Sequence, residues 1–275
     1  MLTQDRVYEL EAICRKMRIE VITQLHKIGT GHPGGSLSVC EILVSLYFEK
    51  ARVDARHPKD ISRDRIILSK GHAAPMLYRI LAEKGYFDVS DYNTLRQLGS
   101  HLQGHPNALD TPGIEISTGP LGIGFSAALG VALAIRLEKA SENAYVYAIL
   151  GDGELNEGIV WETAMAAAKF KADHLIAIID RNQVQLDGTS DEIMPLFDLG
   201  AKWKAFGWRV YECDGHDISD ICAAIDRAAA GSGRPAMIVA NTVKGKGVSY
   251  MEGNHVWHGN PIGDQDYEQA MRELS

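Results

Sequence analysis

The sequence has few cysteines, no long apolar run and little positive charge. Its four cysteines, at positions 14, 40, 213 and 222, form no Cys-x-x-Cys pair, which argues against a disulfide framework and against a zinc site. No segment approaches the ~18 consecutive apolar residues of a membrane-spanning helix, and the charged amino terminus lacks the apolar core of a signal peptide. We therefore expect a cytoplasmic protein that does not enter a membrane.

The charge balance argues against binding of nucleic acid. The formal net charge is -8, whereas a protein that neutralises many phosphates needs a clustered basic surface. Lys244 and Lys246, which stand between glycines, are the nearest approach to such a cluster. We expect these two lysines to face solvent or to bind one small anion.

Short apolar runs alternate with segments of helical periodicity along the chain. Runs rich in β-branched residues are typical of strands that are buried on both faces, and apolar residues three or four apart predict helices. The predicted strands are 65–70, 144–150, 174–180, 208–213 and 236–241. The predicted helices are 5–28, 74–84, 121–139, 157–170, 195–206 and 218–230.

This alternation predicts an α/β protein with a mostly parallel sheet flanked by helices on both faces. We expect one domain over residues 1–275, with a tail of uncertain shape from about residue 245. Ligands of such sheets bind beyond the carboxyl ends of the strands. The polar residues that directly follow the apolar runs, at 71–72, 152 and 180–182, are therefore the first candidates for a site.

Asp152 stands between Gly151 and Gly153, where a strand is expected to turn into a helix. Glycines permit the close backbone approach that a bound diphosphate needs, and the start of the following helix attracts phosphate. A carboxylate beside a diphosphate requires a bridging cation, and Mg²⁺ prefers such oxygen ligands. Asn182 and the carbonyl of Val184 follow the next strand and can complete the metal site. Taken alone, Gly-Asp-Gly is more typical of an ordinary turn than of a metal site.

Several longer motifs resemble the amino-terminal half of a transketolase. They are GTGHPGGSLSVCEIL (29–43), ILSKGHAAPMLY (67–78), GDGELNEG (151–158), DRNQVQLDG (180–188) and NTVKGKGVSYME (241–252). The similarity extends over roughly residues 10–265. It is closest to the short amino-terminal subunits that bacteria and archaea encode separately.

The resemblance implies a thiamin diphosphate-binding fold with thiamine diphosphate and Mg²⁺, or Ca²⁺ or Mn²⁺, as cofactors. Asp152, Asn182 and Val184 would hold the metal. The remaining implied cofactor contacts are Gly151, Gly153 and Glu154 at the diphosphate, Gly119, Pro120 and Leu121 at the rings, and His72 and His258.

Four histidines beside glycine match family positions: His32, His72, His105 and His258. The ordinary pKa of a histidine lies near the working pH, which suits its side chain to the transfer of protons. The resemblance places His72 and His258 nearer the diphosphate and His32 and His105 nearer the substrate. The other histidines, 26, 57, 101, 174, 216 and 255, are interpreted as turn residues.

Glu157 matches a family glutamate that lies near the subunit interface and couples the cofactor sites. An acidic residue in the first turn of a helix is the simpler alternative. Ile123 and Phe125 replace a glutamine and a smaller aliphatic residue that are common in the family. We expect them to make the wall of the pocket more apolar.

The glutamate that contacts the aminopyrimidine ring belongs to a pyrimidine-binding domain, which this sequence does not contain. The resemblance therefore implies a carboxy-terminal partner subunit, an α₂β₂ assembly and sugar or sugar-phosphate substrates. One alternative is the α subunit of a thiamine diphosphate-dependent 2-oxoacid dehydrogenase, which shares the Gly-Asp-Gly to Asn motif. Another is a non-catalytic partner with the same fold. The Gly-His motifs favour ketol transfer.

Overall fold

The computed structural model describes residues 2–138 and 143–275, and its centre is a parallel sheet of five strands. The order of the strands is β1-β2-β3-β5-β4, and every neighbouring pair is parallel. All five predicted strands are confirmed. They are β1 (Arg65–Leu68), β2 (Val146–Gly151), β3 (Leu175–Arg181), β4 (Arg209–Asp214) and β5 (Ala236–Asn241).

Ten α-helices surround the sheet within the described ranges. They are α1 (Gln4–Ile28), α2 (Pro33–Ser38), α3 (Cys40–Ser45), α4 (Ala74–Glu83), α5 (Ile123–Leu137), α6 (Gly158–Lys169), α7 (Ser190–Ile193), α8 (Leu199–Ala205), α9 (Ile218–Ala229) and α10 (Asp264–Leu274). A five-residue π-helix, Leu46–Lys50, follows α3.

The central strands β2 and β3 are apolar up to their carboxyl ends because both of their faces are covered. Tyr147 and Ile149 of β2 point into one hydrophobic layer, whereas Ala148 and Leu150 point into the other. This alternation is the two-residue period of a strand. The first layer packs against α1, α3, α4, α9 and α10, and the second packs against α5, α6 and α8.

The helices differ from the prediction at several places. The segment predicted as 195–206 becomes helical at Leu199, because the side chain of Asp198 accepts a hydrogen bond from the amide of Ala201 and caps the helix. The helix predicted over 121–139 is Ile123–Leu137, and residue 139 lies outside the described residues. Helices α2 and α3 were not predicted, because each has only six residues and α2 begins with Pro33 and two glycines. The tail ends in α10, which packs on α1.

Nothing in the described part of the chain is a helix with the length and apolarity to cross a membrane.

A buried ionic cluster ties α1 to α3 and to the loop after β5. Arg18 donates to both carboxylate oxygens of Glu41, at 2.6 and 2.7 Å. His216 Nδ1 lies 3.0 Å from Glu41 Oε2, and His216 Nε2 accepts a hydrogen bond of 2.8 Å from the amide of Val243. His216 lies in a turn, as interpreted, and its ring is in addition part of this cluster. Burial opposes the charge of Glu41, but Arg18 and His216 together outweigh it and lower the pKa of Glu41 to about 2.

Replacement of Glu41 by Gln is expected to destabilise the fold by about 3–5 kcal/mol, because it leaves the buried Arg18 without its counterion. The pKa of Glu41 is lower in the folded than in the unfolded protein, so its contribution is present above pH 4.5 and is lost as the pH falls toward 2. Urea denaturation from pH 7 to pH 3 measures both effects. Glu9→Gln, in an exposed pair with Arg6, is the control and should cost no more than ~1 kcal/mol. Equal losses in the two variants would contradict this account.

Candidate active site

A cavity of about 290 Å³ opens at the carboxyl ends of β2 and β3. Its volume is near the lower end of the ~300–1,000 Å³ typical of small-molecule sites. Twelve of the predicted site residues line it: His32, His72, His105, Gly119, Leu121, Gly151, Asp152, Gly153, Glu154, Asn182, Val184 and His258. The lining also contains Gly35, Lys70, Gln185, Leu186 and Lys244, which were not predicted as site residues.

Asp152 is held in place by donors from its own turn and from the loop after β3. Its Oδ1 accepts a hydrogen bond from the Gly153 amide at 2.9 Å, and its Oδ2 accepts from the Gln183 amide at 2.6 Å and from Ser190 Oγ at 3.2 Å. Gln183 has a left-handed backbone with φ 63°. Burial, and then the charge of Asp180, raise the pKa of Asp152 to about 6. A cation beside this carboxylate would therefore relieve an electrostatic cost.

The other two predicted metal ligands lie in the loop after β3. Asn182 Oδ1 accepts a hydrogen bond of 3.2 Å from the Val184 amide, and Asn182 Nδ2 donates to Ser38 Oγ at 3.3 Å. The Val184 carbonyl accepts from Lys244 Nζ at 3.3 Å. Across residues 2–138 and 143–275, no group of three or more His, Cys, Asp or Glu side chains could hold a metal. The candidate donors are thus one carboxylate and two neutral oxygens, which leaves coordination positions for phosphate oxygens.

Two buried lysines line the cavity together with the carboxylates of Asp152 and Glu154. Lys70 Nζ lies 2.5 Å from Asp180 Oδ2 and donates to the Gly35 carbonyl at 3.2 Å. Lys244 Nζ donates to the carbonyl of Gln185 at 2.9 Å, and the residue is 2% exposed. Burial and the nearby Lys70 lower the pKa of Lys244 to about 8. Of the two alternatives for Lys244, exposure to solvent is wrong, and contact with an anion remains open.

The four predicted histidines come together around the same cavity. The ring centroid of His32 lies 5.7 Å from that of His72, 6.0 Å from that of His105 and 5.3 Å from that of His258. His72 and His258 are 5.1 Å apart. Burial and neighbouring lysines lower the pKa of both His72 and His258, the latter to about 3. These rings are therefore neutral at pH 7.

One of the three remaining predicted residues, Glu154, lines the cavity, whereas Pro120 and Glu157 do not. Glu154 borders the cavity, and its carboxylate accepts hydrogen bonds from the amides of Gly122 at 2.7 Å and Gly151 at 3.1 Å. Burial raises its pKa. Pro120 and Glu157 are exposed and lie outside the lining, with Glu157 directly before α6. The coupling role of Glu157 stays a prediction.

The expectation for Ile123 and Phe125 is wrong. Phe125 is fully buried and packs against Trp203 and Trp208, with ring centroids 6.0 and 5.9 Å away. Ile123 is 43% exposed, and neither residue lines the cavity. Phe125 fills the layer between α5 and the sheet, so these substitutions change the packing of the helix instead of the pocket wall.

A parallel sheet with buried lysines, an anchored aspartate and a Gly-Asp-Gly turn at its carboxyl edge defines an α/β protein that binds an anionic cofactor. Residues 10–275 match the family model described as "Transketolase, thiamine diphosphate binding domain". The chain belongs to the transketolase family, and it corresponds to the amino-terminal subunit of a divided transketolase.

Two curated relatives have nearly the same length as this chain. The chain is 44% identical over 262 residues to the 6-deoxy-6-sulfo-D-fructose transketolase subunit SqwG of Clostridium sp. (strain MSTE9), covering 95% of this chain and 94% of that protein. It is 42% identical over 271 residues to an apulose-4-phosphate transketolase subunit of Phocaeicola vulgatus, covering 98% of this chain and 95% of that protein. The alignment thus runs over nearly the whole of these subunits.

Undivided transketolases are more than twice as long. The chain is 37% identical to the transketolase of Homo sapiens, covering 98% of this chain and 43% of that protein. The transketolase from Leishmania mexicana superposes with a TM-score of 0.90 at 30% identity, covering 96% of this chain and 41% of that one. The thiamin diphosphate-binding fold and the assignment to a ketol-transferring family are therefore confirmed, and the oxoacid dehydrogenase alternative is not supported.

Proposed function

We propose that the chain acts with a second subunit to transfer a two-carbon ketol unit from a ketose or ketose phosphate to an aldose or aldose phosphate. The observation that carries this proposal is one cavity with four neutral histidines beside an anchored carboxylate. Thiamine diphosphate, when bound, supplies the chemistry at the carbon next to the carbonyl. The residues of this chain bind its charged end and orient the sugar.

The donors of the cavity fit a divalent cation. Mg²⁺, or Ca²⁺ or Mn²⁺ in its place, would be held by the Asp152 carboxylate, the Asn182 amide oxygen and the Val184 carbonyl, all of them oxygen donors. The pKa of Asp152, which burial and the charge of Asp180 raise, supports a cation beside this carboxylate.

The histidines are suited to hydrogen bonding with sugar oxygens. A neutral imidazole offers one donor and one acceptor, so four such rings can contact several hydroxyl groups. His105 is exposed, whereas His32, His72 and His258 are half-buried, which supports an approach of the sugar from the side of His105. Gly119 and Leu121 would pack against the cofactor rings.

We propose sugars with a terminal anionic group as substrates. The relatives named above act, by their names, on a sulfonated ketose and on a phosphorylated sugar. The test is ketol transfer by the chain reconstituted with its partner, with a phosphorylated, a sulfonated and an uncharged ketose offered in parallel. Two-carbon transfer that requires thiamine diphosphate and a divalent metal is expected. Decarboxylation of a 2-oxoacid without ketol transfer would overturn the proposal, and a complex inert in both assays would indicate a non-catalytic subunit.

The partner is proposed to be a carboxy-terminal subunit with the pyrimidine-binding domain, in an α₂β₂ assembly. The loop after β3 reaches the cavity through Leu186, which is 59% exposed, and continues to Met194 and Phe197, which are 56% and 75% exposed. These exposed apolar side chains, in the segment that leads away from the cavity, support an interaction surface there. Glu157, exposed before α6, is proposed to face a neighbouring subunit.

Lys244→Gln is expected to weaken the binding of thiamine diphosphate about 10- to 100-fold. The ammonium provides a charge-assisted hydrogen bond in a buried site, and such bonds contribute ~1.5–3 kcal/mol. Calorimetric titration of the reconstituted complex measures the change. Lys246→Gln is the matched control, because Lys246 lies two residues away, is partly exposed and pairs with Glu252. Similar losses in both variants would argue against a contact between Lys244 and the diphosphate.

A further inference from the structure

Arg96 was not predicted as a site residue, yet its side chain reaches the histidine cluster. Its backbone is left-handed, with φ 61°, a conformation uncommon for residues other than glycine. Its amide donates to the carbonyl of Leu102 at 2.9 Å, and Leu102 is fully buried. The guanidinium lies beside Gly104, where an added Cβ would come within 3.4 Å of it. The loop therefore holds the guanidinium in a defined place.

The guanidinium of Arg96 contacts one specific nitrogen of His32. Nη1 donates to Thr30 Oγ1 at 3.0 Å, and Nη2 lies 3.3 Å from His32 Nδ1. A guanidinium has donors and no acceptor, so His32 Nδ1 must accept this hydrogen bond. A neutral imidazole that accepts at Nδ1 carries its proton at Nε2.

The surroundings of His32 keep its ring neutral. Burial is the main cause, and the charge of Arg96 is the next, of a pKa lowered to about 4. The other groups that act in this direction are His105, Lys244 and Lys70. His32 at pH 7 thus has an occupied Nδ1 and an Nε2–H on the opposite edge of the ring.

His258 has the same arrangement with a different cation. Lys244 Nζ lies 3.0 Å from His258 Nδ1, and an ammonium also only donates. The rings of His32 and His258 are 5.3 Å apart and nearly perpendicular. Two of the four histidines therefore accept a hydrogen bond from a cation at Nδ1. This contact thus occurs at two places in the cavity.

We propose that Arg96 is a positioning residue that fixes His32 as an Nε2–H donor toward an oxygen of the bound sugar. The identity of that oxygen as part of a sugar rests on the proposed function, whereas the position of the His32 proton at Nε2 does not. In this role His32 stabilises negative charge that develops on the sugar oxygen, and it does not accept a proton from it. Arg96 acts through His32 and does not touch the sugar.

The tautomer can be measured directly in the full-length chain. Long-range ¹H–¹⁵N spectra of protein labelled with ¹⁵N-histidine distinguish Nδ1–H from Nε2–H, and the loss of one set of signals in His32→Gln assigns His32. The wild type is expected to have Nε2–H, Arg96→Met a mixture of tautomers, and Arg96→Lys, which retains a cationic donor, mainly Nε2–H. A wild type with Nδ1–H, or an unchanged spectrum in Arg96→Met, would overturn the proposal. Once His32 is assigned, the wild-type spectrum is decisive even if Arg96→Met does not fold.

Kinetics of the reconstituted complex test the consequence for the reaction. We expect Arg96→Met to lower kcat about 10- to 100-fold, less than the ~10²–10³ caused by complete removal of an oxyanion donor. The affinity for thiamine diphosphate should stay unchanged, and Arg96→Lys should recover most of the rate. An unchanged kcat despite an altered tautomer would refute the role in catalysis. An inactive wild-type complex would refute the proposed function and leave the spectroscopic result in force.

Discussion

The purified chain, supplied with thiamine diphosphate and Mg²⁺, is expected to give no ketol transfer above that of the cofactor alone. Its cavity holds groups for the charged end of the cofactor, namely Asp152, Lys70 and Lys244. The contacts to the aminopyrimidine ring are expected from the pyrimidine-binding subunit. Because enzymes accelerate reactions by about 10⁶-fold or more, completion of the site by the partner should change turnover from undetectable to readily measured.

The experiment compares the chain alone, the partner alone and the mixture in a coupled assay with a ketose phosphate donor. Light scattering of the mixture tests the α₂β₂ stoichiometry. Substitution of the exposed Phe197 by Ser should weaken assembly if the loop after β3 contacts the partner, whereas Leu98→Ser, on another exposed loop, should not. Robust turnover by the chain alone would contradict the proposal of a shared site.

The second large effect is expected at Asp152. Asp152→Asn should abolish the metal dependence of thiamine diphosphate binding and weaken that binding about 100-fold or more, since even residues that only support metal ligands cost 10–100-fold. Asn retains the size of the side chain and an acceptor for one of the two amides of Gly153 and Gln183, which bind different oxygens of Asp152. Asp152→Ala would leave both donors buried and unpaired, at a cost of ~1–3 kcal/mol each, and would mix a folding defect with the loss of the ligand.

Calorimetry of the reconstituted complex, with and without Mg²⁺, measures this effect. Asp187→Asn is the matched control, because Asp187 lies exposed in the loop that carries Asn182 and Val184. Asn182→Ala should weaken binding in the same direction as Asp152→Asn. If Asp152→Asn bound the cofactor with unchanged affinity and unchanged metal dependence, the assignment of the metal ligands would be wrong.

The strands and the edge of the sheet that carries the site were predictable from the sequence. Each strand is a short apolar run, and neighbouring parallel strands necessarily end at the same edge. Asp152 and Asn182 could therefore be paired across thirty residues of sequence. The Gly-His motifs identified the four histidines, although their mutual distances came only from the structure.

Other residues of the site could not be predicted from the sequence on either side of them. Lys70 follows β1 and Asp180 lies near the end of β3, but their mutual ion pair links residues more than a hundred positions apart. Arg96 lies in a loop without periodicity, and its left-handed backbone has no glycine to mark it. Lys244 looks like a solvent-exposed lysine between glycines, and its burial depends on how the loop after β5 folds over the cavity.

The sequence by itself determined the α/β class, the edge of the sheet where ligands bind and the oxygen and imidazole groups available there. Those properties depend on hydrophobic periodicity and on residues close to one another along the chain. Only the tertiary structure decided which cation faces which partner: Lys70 with Asp180, Lys244 with His258, and Arg96 with His32. Charge and tautomer depend on distances of a few ångströms between segments that are remote in sequence, and such distances exist only after the chain has folded.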